Sequence, residues 1–249
     1  MKAMVLAAGL GARLRPLTDD RPKALVEVAG RTLLEITLAR LRNFGVGEVI
    51  INLHHFADLV LDYLKAHDNF GMRIEISRED MLLDTGGGLK RAGQFFLQDS
   101  SSLDEPFLLH NVDVISTIDL KRMLQFHKER RALATLAVQA RKTSRYLLFD
   151  QEGKLCGRRS GGDGEIGMVR PSLQPQALAF GGIHVISPRM IPMMVEEGAF
   201  SIIVSYLRLA AQNENILGFR ADEYYWRDLG RLEDLQQAAR DFEQRILSQ

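Results

Sequence analysis

Continuous apolar runs and helix-like spacings alternate along the first third of the chain. Residues 3–8 form an apolar run about as long as one buried strand, and residues 49–51 form another. Between these runs, Leu34, Leu38 and Leu41 recur at the i, i+4, i+7 spacing of a helix that buries one face. Strands without polar alternation are typical of parallel sheets that are covered on both faces. The pattern therefore predicts a strand, a helix and a second strand in that order.

The ends of these elements carry their own signals. Thr32 can cap the first helix, and Asn43 with Gly45 marks its end. A second helical pattern covers residues 59–64, and residues 72–76 alternate between apolar and polar as in a third strand. This repeated unit predicts an α/β fold with a doubly wound, mostly parallel mixed sheet of the Rossmann-like type.

The second half of the chain has a less regular pattern. The region from about 141 to 176 is rich in turns and glycine, notably at 160–164, and predicts β-hairpins and loops laid over the main sheet. Further strands are expected at 106–109, 132–140, 147–149, 177–186 and 216–219, and helices at 119–131, 189–195, 202–211 and the C-terminus.

Composition limits the possible partners and settings. The 249 residues are 46% hydrophobic and 26% charged, as expected for one globular domain. Lysine and arginine together number 32, as do aspartate and glutamate, so no basic field predicts binding to nucleic acid or to a membrane. No apolar run approaches the roughly 20 residues that span a bilayer. The single cysteine, Cys156, cannot form an internal disulfide, and we expect a cytoplasmic protein, monomeric or homodimeric.

The first predicted strand breaks into a glycine-rich turn that carries positive charge. Gly9 and Gly11 remove side-chain bulk, so backbone N–H groups can approach a polyphosphate. Arg13 and, after a polar connection, Lys23 add the positive charge that such a ligand requires. The spacing matches neither the Gly-x-Gly-x-x-Gly fingerprint nor the P-loop. The turn therefore predicts a phosphate site of another kind.

Two later stretches also suggest ligand contacts. Gly86, Gly87 and Gly88 open a predicted helix, and because glycine is costly to order there, we expect a ligand to lie over them. Asp113 follows the buried strand at 106–109, at the carboxyl end where ligands of open α/β sheets collect. The histidines suggest no such site, since His54 and His55 point in different directions and lack a third metal ligand. Capping or surface positions are expected for His67, His110, His127 and His184.

These motifs resemble those of the sugar-phosphate nucleotidyltransferases, which make nucleotide sugars. Residues 6–18 and 22–25 match Leu-Ala-(Ala/Gly)-Gly-x-Gly-x-Arg-Leu-x-Pro-Leu-Thr and Pro-Lys-x-Leu almost position by position. Residues 83–88, Leu-Asp-Thr-Gly-Gly-Gly, look like the N-acetylmuramate 1-phosphate uridylyltransferases, and mannose 1-phosphate guanylyltransferase-like proteins share the loop and metal motifs. Residues 225–235 are similar to Trp-x-Asp-(Val/Ile)-Gly-Thr-x-Glu-x-Leu. The chain is thereby identified, by resemblance, as a member of this family.

The resemblance implies a reaction and a domain plan. A nucleoside triphosphate, with UTP favoured, would be attacked by a sugar 1-phosphate at the α-phosphorus, releasing pyrophosphate. One nucleotidyltransferase domain would cover residues 1–249, with a β-rich sugar-binding insertion at about 141–176. The implied triphosphate and base contacts are Leu6, Ala8, Gly9, Gly11, Asp84, Gly86 and Gly87.

The resemblance also implies roles for charged residues. Arg13 would neutralise the leaving pyrophosphate, and Lys23 would hold the attacked and attacking phosphates. Asp113 and Asp228 would hold Mg²⁺, and the strand that contains Gly182 would let the sugar pass closely.

The sequence departs from the family pattern at three points. Val112 replaces a usual glycine before Asp113, and Arg231 replaces a usual threonine that caps a helix. The Glu-Lys-Pro motif, whose lysine meets the sugar phosphate in many relatives, is absent. Arg170 is the favoured substitute for that lysine, and the other candidates are Lys154, Arg158 and Arg159.

Other functions remain open from the sequence alone. A guanylyltransferase acting on mannose or heptose 1-phosphate would share the same loop and metal motifs. A cytidylyltransferase acting on phosphocholine or a similar alcohol phosphate shares the first motif, although the glycines at 86–88 and 182 favour a sugar. A non-catalytic, nucleotide-sugar-binding regulatory subunit is the alternative of another class.

Overall fold

Strands and helices alternate through the computed structural model, which describes residues 1–98, 105–160 and 164–244. The predicted glycine-rich loop at 160–164 lies mostly outside these ranges. The strands are β1 (Lys2–Leu6), β2 (Glu27–Val28), β3 (Arg31–Thr32), β4 (Glu48–Leu53), β5 (Arg73–Arg78), β6 (Phe107–Asn111), β7 (Val114–Ser116), β8 (Ala134–Gln139), β9 (Arg145–Phe149), β10 (Leu155–Ser160), β11 (Ile166–Met168), β12 (Gln176–Ile186), β13 (Ile216–Arg220) and β14 (Trp226–Asp228).

Helices lie on both faces of the sheet that these strands build. The helices are α1 (Leu33–Phe44), α2 (Ala57–Ala66), α3 (Asp84–Arg91), α4 (Gln94–Leu97), α5 (Leu120–Glu129), α6 (Ile202–Ala211) and α7 (Leu232–Glu243). Short 3₁₀ turns cover Ala12–Leu14, Lys23–Leu25, Asp68–Gly71 and Pro188–Met193. None of the helices in the described part of the chain is long and apolar enough to cross a membrane.

The main sheet is mixed, as the sequence predicts. Strands β6, β1, β4 and β5 are parallel neighbours, and β8 pairs in parallel with β13. β12 joins the two halves because it pairs antiparallel with β6, β8 and β9. One apolar core packs α1, α2, α5 and α7 against one face, and a second core packs α3, α4 and α6 against the other. The prediction of a doubly wound fold is confirmed.

Parallel register brings several chain segments to one edge. Leu6 at the end of β1 lies opposite Asn52 on β4 and Asn111 on β6. Because parallel strands end at the same side, the loops after β1, β4 and β6 meet there. The loop that contains Gly9 and the turn that contains Asp113 are therefore neighbours.

The signals predicted for α1 are present in the structure. The Thr32 hydroxyl accepts a hydrogen bond from the N–H of Glu35, at 3.0 Å, and Thr32 is the N-cap. Gly45 ends the helix with φ 96°, a left-handed conformation that glycine adopts without strain. Local sequence chemistry thus fixes both ends of this helix.

The hairpins of the 141–176 region differ from the prediction in their position. We expected them to lie over the main sheet. Instead, β9, β10 and β11 continue the same sheet beyond β12, through Ala179 paired with Tyr146 and Tyr146 paired with Arg159. The backbone of β12 is long enough to pair with β6 at one end and β9 at the other. These three strands extend the main sheet sideways.

Three histidines are buried, contrary to the expected capping or surface positions. The two ring nitrogens of His127 lie 3.0 Å from Thr135 Oγ1 and 3.0 Å from Ser187 Oγ. His184 Nδ1 lies 2.8 Å from the hydroxyl of the buried Tyr206. Burial lowers the pKa of His127 to about 4, that of His184 to about 3 and that of His110 to about 4. These rings are neutral parts of the core.

These buried rings predict a loss of stability in acid. The unfolded chain protonates histidine near pH 6.5, whereas the folded chain does not until about pH 4 or below. The unfolded state therefore binds more protons between these values, and the free energy of unfolding falls as pH falls from 7 to 4. Urea denaturation followed by circular dichroism at each pH measures the slope.

Two variants isolate the histidine contribution. His127→Gln keeps a side chain that can hydrogen-bond but cannot titrate, so its free energy of unfolding should depend less steeply on pH than that of the wild type. His67→Gln changes an exposed histidine and should keep the wild-type slope. An unchanged slope in His127→Gln would contradict the assignment.

Candidate functional site

The loop after β1 has the shape expected of a phosphate site. Gly11 is left-handed, with φ 65°, and a Cβ atom at this position would lie 2.9 Å from Thr18 Cγ2 and 3.1 Å from Lys23 Cβ. The Thr18 hydroxyl donates to the Gly11 carbonyl at 3.0 Å. Gly9 has no atom within 4 Å of where its Cβ would be. Gly11 therefore lets the loop fold back onto Lys23, while Gly9 leaves the cavity side open.

A cavity of about 540 Å³ opens beside this loop. Its wall combines the loop with the ends of β4 and β6 and the start of α3. The predicted residues that line it are Leu6, Ala8, Gly9, Gly11, Arg13, Lys23, Asp84 and Asp113, and further lining residues include Asn52, Thr85, Asn111 and Gly230.

Four charged groups meet at one side of the cavity. The Lys23 ammonium contacts Oδ2 of Asp113. Asp228 stands beside them, because β14 pairs with β7 so that Asp228 lies opposite Val114. Burial and then the negative charge of Asp113 raise the pKa of Asp228, while Lys23 and Arg13 act in the opposite direction. Two carboxylates are thus held together by two cations.

Gly230 determines how closely Arg13 approaches this group. A Cβ atom at Gly230 would overlap Nη2 of Arg13 and would lie 2.7 Å from Oδ1 of Asp228. The Gly230 N–H donates to that same oxygen, at 2.7 Å. The glycine of the predicted Asp-Leu-Gly motif therefore leaves space for the guanidinium and orients the carboxylate.

Asn52 is a supporting residue that sequence reasoning missed. This buried side chain accepts a hydrogen bond from the Ala7 N–H at 2.8 Å and donates to Glu79 Oε1 at 2.7 Å. Glu79 Oε2 in turn accepts from the Leu83 N–H at 3.0 Å. The network ties the start of the glycine loop to the segment before α3. Its signal in the sequence is the position of Asn52 directly after the apolar run at 49–51, at the carboxyl end of a parallel strand.

The strand that contains Gly182 borders the same group from the other side. Gly182 is left-handed, with φ 70°, and a Cβ atom there would lie 3.0 Å from both Asn111 Nδ2 and Val114 Cγ2. Oδ1 of Asn111 is buried without a hydrogen-bond partner among the described residues. Trp226 donates its indole N–H to the Gly181 carbonyl at 2.7 Å. Gly182 thus lets β12 pack closely against Asn111 and Val114.

The glycine triplet after Leu83 is packed for a reason that differs from our expectation. A Cβ atom at Gly86 would overlap the Phe200 ring, and one at Gly87 would overlap the Gly198 carbonyl. The N–H groups of Gly86 and Gly87 both donate to the Phe200 carbonyl, at 2.9 and 3.3 Å. The protein itself lies over these glycines, and Asp84 with Thr85 forms the cavity wall instead.

Arg170, the residue expected to contact the sugar phosphate, does not line the cavity. Its N–H donates to the Cys156 carbonyl at 3.2 Å, and its charge helps to lower the pKa of Glu152. These contacts place it at the β9–β10 turn, where Phe149 pairs with Gln176, at the far end of β12 from Gly182. The pairing of β9 with β10 and with β12 determines where Arg170 lies. This position cannot be predicted from spacing along the sequence.

The donor set fits a divalent cation supplied with a phosphate ligand. In the described ranges, no cluster of three or more histidine, cysteine, aspartate or glutamate residues could hold a metal by itself. Asp113 and Asp228 supply two carboxylates, and burial followed by the negative charge of Asp113 raises the pKa of Asp228. Mg²⁺ is commonly bound by one or two carboxylates together with substrate phosphates and water. The two residues fit that mode of binding.

Comparison with known proteins gives a consistent picture. The family model described as "Nucleotidyl transferase" matches residues 2–245. The chain is 35% identical over 241 residues to an N-acetylmuramate alpha-1-phosphate uridylyltransferase of Caulobacter vibrioides, covering 92% of this chain and 91% of that protein. It is 31% identical to mannose-1-phosphate guanylyltransferase 1 of Arabidopsis thaliana, covering 94% of this chain but 62% of that longer protein.

Solved structures share the fold. The crystal structure of HddC from Yersinia pseudotuberculosis complexed with GMP-PN matches with a TM-score of 0.75 at 21% identity. The match covers 97% of this chain and 99% of that one. At this level of identity the likeness supports the arrangement of strands and helices.

The packing of the triplet predicts that Gly86→Ala destabilises the protein. Alanine has the higher helix propensity by up to about 1 kcal/mol, which alone would stabilise α3. The overlap with the Phe200 ring should outweigh that gain and lower the free energy of unfolding by about 1–3 kcal/mol. Urea denaturation measures the difference.

Gly47→Ala is the matched control. A Cβ atom at Gly47 meets no atom within 4 Å, and its φ is not in the left-handed region. This variant should not lower the free energy of unfolding. Equal stability of the two variants would show that α3 does not pack against Phe200 in this way.

Proposed function

Because the chain belongs to the nucleotidyl transferase family, we propose that it joins UTP to a sugar 1-phosphate and releases pyrophosphate. It is a sugar-1-phosphate nucleotidyltransferase, and the choice of UTP is our proposal. The observation that supports the proposed chemistry is the meeting of Arg13, Lys23, Asp113 and Asp228 beside the cavity of the glycine loop.

Each charged group has a distinct proposed role. Arg13 neutralises the charge that develops on the leaving pyrophosphate, since its guanidinium can form paired hydrogen bonds with phosphate oxygens. Lys23 contacts the attacked phosphate and the attacking phosphate from its position beside Asp113. Asp113 and Asp228 hold a divalent cation, which we propose to be Mg²⁺ and which would supply further charge neutralisation at the phosphates.

The chemistry requires positioning more than proton transfer. The phosphate of a sugar 1-phosphate is already anionic near neutral pH, so the nucleophile needs no general base. In-line attack on the α-phosphorus then depends on holding the two phosphates in line and on stabilising the added charge. The backbone of the loop from Gly9 to Gly11, open on its cavity side, is suited to hold the triphosphate.

Nucleotide choice belongs to the opposite wall of the cavity. Asp84 and Thr85 line that wall, and we propose that they contact the base. The Caulobacter relative, which matches this chain over nearly the whole length of both proteins, is named a uridylyltransferase. The longer Arabidopsis relative is named a guanylyltransferase. We therefore favour UTP, with GTP and mannose or heptose 1-phosphate as the alternative pair.

The acceptor is proposed to lie along β12. Asn111 lines the cavity beside Gly182, and its Oδ1, which has no hydrogen-bond partner among the described residues, suits a hydroxyl of a hexose-type 1-phosphate, such as that of N-acetylmuramate or N-acetylglucosamine. The β-rich region at about 141–176 would complete this sugar site within a single domain over residues 1–249. We also propose that the protein is cytoplasmic and that it is a monomer or a homodimer.

A non-catalytic regulatory subunit is the alternative of another class. Such a protein would be free to lose a metal carboxylate or a loop cation. In this chain Lys23 contacts Asp113, and the charges of Asp113, Lys23 and Arg13 all act on Asp228. Both carboxylates and both cations are therefore retained, and we favour the enzyme.

Pyrophosphate release is the direct test of the proposed function. The purified protein with Mg²⁺ is assayed with UTP, GTP, CTP and ATP against glucose, N-acetylglucosamine, N-acetylmuramate and mannose 1-phosphates. We expect the highest kcat/KM with UTP, because the motif at residues 83–88 resembles that of the uridylyltransferases. A kcat/KM that is tenfold higher with GTP than with UTP would overturn the proposal that UTP is the substrate. If no pair of substrates releases pyrophosphate, the regulatory subunit is favoured.

Both proposed metal carboxylates should be required for activity. Asp113→Asn and Asp228→Asn keep side-chain shape but remove one negative charge, so each should lower kcat about 100-fold or more, as losses of transition-state charge stabilisation do. Mn²⁺ binding in the presence of UTP, measured by electron paramagnetic resonance, should weaken in parallel.

Asp58→Asn is the control for these variants. Asp58 is an exposed carboxylate on α2 that pairs with Arg78 at 2.7 Å, outside the cavity. It should keep wild-type kcat and Mn²⁺ binding. Wild-type Mn²⁺ affinity in Asp113→Asn or Asp228→Asn would remove that residue from the metal site.

A further inference from the structure

An arginine with no carboxylate partner lies on the acceptor side of the charged group. Arg141 follows β8, and its guanidinium carbon is 3.6 Å from the centre of the Trp226 ring. One terminal nitrogen, Nη2, donates to the Phe180 carbonyl at 2.7 Å. The side chain is thus fixed between an aromatic face and the backbone of β12.

Trp226 fixes this position relative to the metal carboxylates. Alternate residues of a strand share one face, so Trp226 and Asp228 of β14 point to the same side. The indole N–H donates to the Gly181 carbonyl, and a Cβ atom at Gly181 would lie 3.2 Å from that nitrogen. Arg141 and Trp226 therefore donate to neighbouring carbonyls of β12, and Trp226 lies two residues from Asp228 on β14.

The guanidinium of Arg141 is left unneutralised by the rest of the described chain. No aspartate or glutamate in the described ranges lies within ion-pair distance of it, and its Nε is buried without a hydrogen-bond partner. Burial lowers the pKa of Arg141, and the negative charge of Asp228 opposes that shift. A half-buried cation of this kind is costly unless an anion pairs with it.

We propose that Arg141 binds the phosphate of the sugar 1-phosphate, taking the place of the lysine of the missing Glu-Lys-Pro motif. This inference rests on the proposed function, because that reaction supplies the anionic acceptor. The site lies beside Gly181 and Asp228, where the acceptor phosphate must pass to reach the α-phosphorus. Stacking on Trp226 orders the guanidinium before the ligand arrives, which reduces the entropy lost on binding.

The other basic residues considered for this role fit less well. Arg170 lies at the far end of β12, and Lys154 pairs with Glu152 at 2.6 Å. Arg158 is exposed on β10. Arg159 contacts Tyr146, with its guanidinium carbon 4.8 Å from the centre of that ring, and it lies opposite Tyr146 in the pairing of β10 with β9.

Steady-state kinetics separates acceptor binding from nucleotide binding. Arg141→Gln should lower kcat/KM for the best sugar 1-phosphate of the panel at least about tenfold, the usual effect of removing a charged hydrogen bond. The Kd for UTP with Mg²⁺, measured by calorimetry without acceptor, should stay within about twofold. Arg141→Lys should recover part of the loss, because it restores charge without the planar fork.

Lys142→Gln is the matched control. Lys142 is the next residue in the chain, is exposed, and loses the same charge when changed to glutamine. It should keep wild-type kcat/KM for the acceptor. Equal losses in Lys142→Gln and Arg141→Gln would show that general electrostatic attraction, and not a specific contact, draws the acceptor to the site.

Fluorescence gives a second readout that does not depend on turnover. Trp226 is the only tryptophan of the chain, so its emission reports directly on the stacked guanidinium. N-acetylglucosamine 1-phosphate, glucose 1-phosphate, mannose 1-phosphate and N-acetylmuramate 1-phosphate are each titrated in the presence of Mg²⁺ and the α,β-imido analogue of UTP. The wild type should show a saturable change in emission with the acceptor that it uses, and Arg141→Gln should show none at the same concentrations.

The outcomes distinguish this inference from the proposed function. Acceptor kcat/KM within threefold of the wild type in Arg141→Gln overturns the inference while the enzyme assignment stands. An equal loss of UTP affinity and a lower melting temperature in Arg141→Gln and Arg141→Lys overturn it in favour of a structural role. If the wild type releases no pyrophosphate with any pair, the proposed function fails, and the fluorescence titration still decides whether Arg141 binds a sugar phosphate.

Discussion

The placement of two neighbouring carboxylates in a partly buried site is the constraint on which the rest of the site depends. Asp113 and Asp228 come from distant parts of the chain and are brought together by the pairing of β7 with β14. Burial and then the negative charge of Asp113 raise the pKa of Asp228, while Lys23, which contacts Asp113, and Arg13 act in the opposite direction. Two cations against two carboxylates leave the ligand-free group formally neutral. A triphosphate would add several negative charges that these cations alone cannot balance, so the site has an electrostatic need for a metal that arrives with its nucleotide.

The sheet supplies the geometry that keeps this charged group in one place. The carboxyl ends of β1, β4 and β6 meet at one edge, and Asn52 locks the first loop to the start of α3 through Glu79. β12 then crosses from the parallel part of the sheet to the added hairpins, with a left-handed glycine at Gly182 where it passes the charged group. Rigid strands on both sides thus place the two halves of the site. This arrangement suits a reaction that depends on holding two phosphates in line.

The features that the sequence predicted correctly are local ones. The ends of α1 follow from Thr32 and Gly45, and the glycine loop follows from the pattern after β1, because neighbouring residues determine both. The features that were missed depend on contacts between distant segments. Gly86 is small because Phe200 covers it, and the environment of a glycine cannot be deduced from the glycine itself. The three buried histidines were missed for the same reason, since their hydroxyl and carbonyl partners lie mostly on other strands and helices.

Strand register decides which arginine lies near the charged group. Both arginines lie in the hairpin region at 141–176, and Arg170 precedes the strand that contains Gly182. The antiparallel pairing of β9 with β12 instead carries Arg170 to the far end, whereas the residue that follows β8 returns to Phe180. Arg141 then gains a fixed orientation from Trp226, on the same strand as Asp228. A phosphate requires a charge at one point in space and not at one point in the sequence, so the proposed role of Arg141 depends on strand register and not on a motif.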